Sequence, residues 1–273
     1  MKRYQKILLG VLVSGLLMLG GIQIYFSYFL DDQLEHTVAS RFHEATDDKY
    51  NLKIGDFDLE IFGRQLNVSE IKISNKQAEA EPNIQATLDG FNVSGIDFLT
   101  LLWNRSLNLE RIELVNPKIS YTSPGSSQEQ QNQQIKLNNL SRRLSAITLQ
   151  VLQDVDIPRL LIRDLSLEYY RNNRLKPYFS FQNSHIQLRE ISIDSASLED
   201  DRIFPSKDIT TTFHDIQYQT TNNLYSLTID QLDFSSVEET LNMQAMQLIP
   251  KYNREQFADQ SSHEINRIDL NID

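Results

Sequence analysis

The chain has 273 residues, room for one large domain or two ordinary ones, and carries a formal charge of −11 with no cysteine. Lys2, Arg3 and Lys6 all precede the first acid, Asp31, so taking those three from the total leaves −14 for residues 31–273. Beyond the N-terminus the one tight basic pair is Arg142-Arg143. That argues against nucleic acid and anionic lipid surfaces as partners, which need clustered Lys and Arg, and the absent thiols exclude a disulfide framework and thiolate metal sites.

From Ile7 to Leu30 the sequence ILLGVLVSGLLMLGGIQIYFSYFL contains no charge. At about 1.5 Å per residue, roughly 20 residues cross a bilayer core, so this run predicts a single transmembrane helix. Basic residues before it and Asp31, Asp32 and Glu35 after it place residues 1–6 in the cytoplasm and the bulk of the chain outside the inner membrane, in the periplasm. Tyr25, Phe26, Tyr28 and Phe29 suit the outer aromatic belt. The run exceeds a signal-peptide core and no A-x-A site follows, so the anchor is expected to stay uncleaved. Leu34, Val38, Phe42 and Ala45 then recur at helical spacing and predict an amphipathic helix near 32–46, within a segment 31–49.

Beyond residue 50 one pattern keeps returning: two apolar residues two apart, two polar residues, then two more apolar residues two apart. It fits Leu52/Ile54/Phe57/Leu59, Leu66/Val68/Ile71/Ile73, Phe91/Val93/Ile96/Phe98, Leu107/Leu109/Ile112/Leu114, Ile186/Leu188/Ile191/Ile193 and Leu227/Ile229/Leu232/Phe234. Leu160/Ile162/Leu165/Leu167 fits with Leu161 as an apolar intruder, and Ile265/Ile268/Leu270 begins another unit that breaks off at Asp273, so the chain is expected to be the N-terminal part of something longer. Chance at 40% hydrophobic composition gives about one match. Period-two alternation marks strands with one apolar face, and the three-residue step flips the phase as a bulge does. With turn-prone Asn75-Lys76, Asp89-Gly90, Asn172-Asn173 and Asn222-Asn223 between units, the expected fold is mainly β with a few helices. Its main element is an extended, twisted, repetitive antiparallel sheet, groove-like, in β segments 50–121 and 154–273.

Between those segments, residues 122–134 (TSPGSSQEQQNQQ) read as a flexible loop. Leu137, Leu140, Leu144, Ile147 and Val151 predict an amphipathic helix over 135–153, stopped before Pro158.

The N-terminal anchor and helix, the strand Tyr50–Phe57 (YNLKIGDF), the segment Phe91–Leu102 (FNVSGIDFLTLL) and the run Leu107–Tyr121 (LNLERIELVNPKISY) with its Pro117 together resemble the start of AsmA-like proteins. Leu160–Tyr169 (LLIRDLSLEY) looks like their next repeat, so the likeness spans most of residues 1–200. This chain is shorter than full members and lacks their C-terminal region. The resemblance implies a bridge-like lipid transfer protein, with a long sheet curled into a groove for phospholipid acyl chains and a role in outer-membrane biogenesis. Its lining would be Leu66, Val68, Ile71, Ile73, Phe91, Val93, Leu107, Leu109, Ile112, Leu114, Leu160, Ile162, Ile186, Leu188 and Ile191.

No catalytic or phosphate-loop signature occurs, so a non-enzymatic role without cofactor or metal is expected. His36 and His43 could share a helix face, and Asp56, Asp58 and Glu60 alternate along one strand, but a solvated face explains the carboxylates more simply than a cation site. The four N-x-S sequences at Asn67, Asn92, Asn104 and Asn139 are accidents of an Asn- and Ser-rich chain. From the residues alone, the apolar faces line a lipid trough or form the dry core of a scaffold that binds other envelope proteins by strand addition.

Overall fold

A computed structural model describes residues 48–76, 83–123, 153–171, 175–198, 206–220, 222–261 and 266–272, with Ser40, Phe42, Thr46 and Leu149 as isolated positions. Its centre is one 13-stranded, twisted, mixed sheet. The strands are β1 (Tyr50–Lys53), β2 (Phe57–Glu60), β3 (Gln65–Asn75), β4 (Asn83–Ser94), β5 (Ser106–Asn108), β6 (Arg111–Val115) and β7 (Lys118–Ser123). They continue as β8 (Asp154–Arg171), β9 (Phe179–Ile193), β10 (Ser206–Gln219), β11 (Tyr225–Ser235), β12 (Thr240–Pro250) and β13 (Leu270–Ile272). The described helices are α1 (Phe98–Asn104), α2 (Arg254–Gln260) and a 3-10 turn, Ser195–Leu198. No described helix is long and apolar enough to cross a membrane, and residues 7–30 lie outside the described residues. Of the two amphipathic helices expected, only Ser40, Phe42 and Thr46 in the first and Leu149 in the second are described; Ser40, Phe42 and Leu149 are helical and Thr46 lies in a turn.

The sheet is not antiparallel throughout. From β8 to β13 it is a meander of antiparallel neighbours, but β5, β6 and β7 all run parallel to β8. A parallel pair needs a crossover of a dozen residues or more. The stretch between Ser123 and Gln153 is that crossover: Gln153 N–H donates to the Arg105 carbonyl at 2.8 Å, so the chain re-enters beside the start of β5. Along this seam the offset is constant, 106 on 154, 112 on 160, 118 on 166 and 123 on 171. The three short strands are thus one strand interrupted twice. Strand β7 also reaches Ser123, so the connecting loop starts two residues later than its composition suggested.

Four of the three-residue steps are left-handed kinks, and the one at Asp164 is also a register shift. The second residue of the polar gap has a left-handed backbone at Glu70 (φ 50°), Gly95 (φ 73°), Asp164 (φ 56°) and Glu190 (φ 49°). Asn116, Asn183, Asp215 and Ala245 adopt the same conformation in or between strands. Register places these in columns: Glu70, Asn116, Asp164, Asn183, Asp215 and Ala245 succeed one another across the sheet, each where pairing skips a residue. A second column runs through Arg64, Gly95 and Glu190. Aligned bulges bend neighbouring strands at the same height, so the sheet is creased along two lines. Asp89-Gly90, expected as a turn, instead sits inside β4, opposite the Glu70 bulge.

Helix α1 fills the gap after β4. Asp97 caps it, accepting from Thr100 N–H at 3.1 Å and the Thr100 hydroxyl at 2.7 Å, while Arg105 ends it in a left-handed turn. These Thr100 hydrogen bonds hold the Asp97 carboxyl below its usual 3.8. Helix α2, with Phe257 buried against Leu224 and Tyr225, covers the far end of β11 and β12; no sequence pattern had flagged it.

Candidate functional site

The apolar residues form rows that cross the sheet from strand to strand. One row runs Val68, Phe91, Leu114, Ile162, Ile186, Thr211, Phe234, Leu241, each the register partner of the next. The next runs Leu66, Val93, Ile112, Leu160, Leu188, Ile209. A third, beyond the first crease, runs Leu52, Ile73, Ala86, Ile119, Leu167, Phe181. Because each left-handed residue breaks the alternation once, the side chains reset and the same face stays apolar along strands as long as the 18-residue β8.

All the residues singled out as groove lining fall on this face. Val93, Leu109, Leu188 and Ile191 are buried in one cluster, with Leu66, Phe91, Leu107, Ile112, Leu160 and Ile186 packed half-buried against it. Val68 is buried at 7% exposure, and Ile71, Ile73, Leu114 and Ile162 are half-buried. Extensive strand contacts are all between hydrogen-bonded neighbours, and among the described residues no second sheet lies over the face. Burial pushes the Tyr121 phenol up, assisted by Tyr169 and by Tyr50 of β1.

Part of the face escaped the sequence pattern. A second cluster, Leu165, Phe181, Ile216 and Ile229 with Phe179, Phe213, Leu232 and Met246 around it, continues the first through β9–β12. Phe179/Phe181/Ser184/Ile186 and Thr211/Phe213/Ile216/Tyr218 are the same unit with Ser184 and Thr211 in apolar slots, and Leu241/Met243/Met246/Leu248 is interrupted only by Ala245 at the bulge. Allowing small hydroxyl residues in a slot would have found the first two. Ser184 is fully buried for a reason: its hydroxyl donates to the Gln182 carbonyl at 3.0 Å and accepts from His214 N–H at 3.2 Å, bridging the register shift beside Asn183.

At the end of the sheet where β1 begins, the apolar face finishes in tyrosines. Tyr121 stacks on Tyr169 with centroids 5.5 Å apart, Tyr169 meets Tyr178 edge-on at 5.8 Å, and Tyr178 meets Tyr218 at 5.2 Å. The Tyr178 and Tyr218 hydroxyls are 3.0 Å apart, and the Arg171 guanidinium sits 4.7 Å over the Tyr178 ring.

The opposite face is polar. Asp56, Asp58 and Glu60 are exposed at its edge in and beside β2, and among the described residues no group of acids and histidines forms a metal-holding cluster. His36 and His43 lie outside the described residues. Two open cavities of about 450 Å³ lie along the creases, one lined by Gln85, Lys118, Ser166, Glu168 and Asn183 among others, the second by Ser94, Glu110, Arg111, Pro158, Arg159, Arg189 and Glu190. No known family model matches the chain, and no characterised protein sequence matches it.

Proposed function

We propose that this is a single-pass, AsmA-like protein of the bacterial envelope. Residues 7–30 anchor it in the inner membrane with the N-terminus cytoplasmic, and the periplasmic sheet guides phospholipid along its apolar face for outer-membrane biogenesis, without catalysis. The observation that carries this reading is a row running from Val68 to Leu241 in which Thr211 is the one polar side chain, on a twisted sheet over which no second sheet lies among the described residues. Such a face holds acyl chains by the same apolar burial that a second layer would otherwise supply, about 25 cal/mol per Å² removed from water. The tyrosine row at the β1 end suits a membrane interface, where amphipathic rings sit at headgroup level.

The test is photo-crosslinking in cells with the full chain. A photoreactive amino acid at Leu160 or Ile186, on the apolar face, is expected to yield phospholipid adducts by mass spectrometry. The same probe at Gln187 or Thr210, on the polar face, is expected to yield none. Equal labelling of both faces, or no lipid adduct from Leu160 and Ile186, overturns the reading. A scaffold that binds by strand addition is the second reading, favoured by one observation: β13 pairs only Met246–Leu248, so that among the described residues Leu241 (64% exposed) and Met243 (44%) lie on an open stretch of β12. Protein adducts from Leu241 with no lipid adduct from Leu160 would support that alternative.

A further inference from the structure

The polar face brings together three arginines that are far apart in sequence. Arg111 and Arg159 occupy equivalent positions across the parallel seam, and Arg159 is the register partner of Arg189. Like charges directly opposed across strands destabilise a sheet, and these stand in a row on a chain whose exported part is strongly acidic. All three are exposed and line the second cavity, with Ser94 and Pro158. The cavity's two acids are engaged elsewhere: Glu110 pairs with Arg64 at 3.7 Å and Glu190 with Lys207 at 3.0 Å. At one end of the row Arg189 faces Asp208 and, with the Gln187 amide correctly oriented, donates to its oxygen at 2.6 and 3.0 Å. Neither the Arg111 nor the Arg159 side chain makes a hydrogen bond or ion pair with another described residue. The crease opens the cavity, since Pro158 has no N–H to pair and Glu190 opposite it is left-handed.

We infer that the Arg111–Arg159–Arg189 row is a binding site for a phosphate group, carried by a small phosphorylated solute or by a lipid headgroup. Guanidinium forks take phosphate oxygens two at a time, a cavity of about 450 Å³ accommodates a small organic phosphate, and an anion in it removes the repulsion that the empty row maintains. The site lies on the face opposite the apolar rows, so it is separate from the acyl-chain path and stands or falls independently of it.

The experiment uses the full chain in neutral detergent, titrated calorimetrically with inorganic phosphate and with glycerol phosphate, and floated with vesicles of phosphatidylglycerol or phosphatidylcholine after reconstitution. Arg159→Gln is compared with the wild type, with Lys72→Gln, on the same face but outside the row, as control. Saturable binding of the soluble phosphates, weakened at least tenfold by Arg159→Gln and unchanged by Lys72→Gln, supports the site with a soluble ligand. Extra flotation with phosphatidylglycerol alone, lost in Arg159→Gln, supports it with a headgroup as source. Binding to neither, or binding that Arg159→Gln leaves intact, overturns it. Ligand-free Arg159→Gln is expected to melt at or above the wild-type temperature because repulsion is relieved. A lower melting point would mean that the row is neutralised internally, and would overturn the inference as well.

Discussion

Left-handed backbone at residues other than glycine is unfavourable by roughly 1–2 kcal/mol each, and this sheet uses it repeatedly inside strands. Asn and Asp tolerate it best, which suits Asn116, Asp164, Asn183 and Asp215, but Ala245 has no polar side chain to offset the strain. Ala245→Gly is therefore expected to raise stability by up to about 1 kcal/mol, seen as a higher urea midpoint at unchanged slope. Glycine positions separate in the same way. Gly95 is left-handed and a methyl there would run into Glu110, whereas a methyl on Gly90 meets Val115 at 3.6 Å, an ordinary contact. Gly95→Ala should cost about 2 kcal/mol or more and Gly90→Ala less than about 1 kcal/mol in the same urea experiment. The Asp97 cap gives a pH signature. Its carboxyl pKa is lowered in the folded state, so the cap's contribution is present above the unfolded value and fades as pH falls below about 4 toward the folded value. Asp97→Asn, which still caps but does not titrate, should flatten that part of the stability–pH curve.

At the level of strands and helices, what was legible in the chain was whatever repeats locally. The unit Leu66/Val68/Ile71/Ile73 specified both a strand and its bulge, because a three-residue step in a period-two pattern has few other structural solutions. The parallel joint of β5–β7 to β8 was not legible, since pairing partners are decided by where a crossover returns, not by the strands themselves. The arginine row was hidden for the same reason: residues 111, 159 and 189 lie 48 and 30 positions apart, and only register sets them side by side. Thr211 and Ser184 disguised strands whose apolar slots they occupy. Strand contributions to stability should follow their pairing. Amides of β8 and β9, each flanked on both sides along most of its length, should exchange slowest with deuterium, and those of the three-residue, exposed β13 fastest.

For the molecule as a whole, a strong negative charge works against the 13-stranded sheet. Self-repulsion spread over a long thin array weakens it, so moderate salt should raise the melting temperature of the full chain, an effect beyond the screening of any one surface pair. The longest closures lie at the seam, where every paired position is 48 residues from its partner, against at most 39 in any other described strand pairing. Stopped-flow refolding is thus expected to show hairpin-rich β8–β12 forming early and the β5–β7 to β8 pairing last; mutations such as Leu114→Ala should slow the late phase selectively. The seam carries one more consequence. Across its constant offset, Leu109 matches Ile157, Arg111 matches Arg159, Asn116 matches Asp164 with the same left-handed backbone, and Tyr121 matches Tyr169. The two segments thus repeat the same apolar slots, kink and terminal ring, although Arg111/Arg159 and Tyr121/Tyr169 are their only identical pairs. A sheet built by copying strand and crossover together gains length without relocating its creases, so a descendant can widen the apolar face by inheritance of one more copy rather than by inventing a new strand.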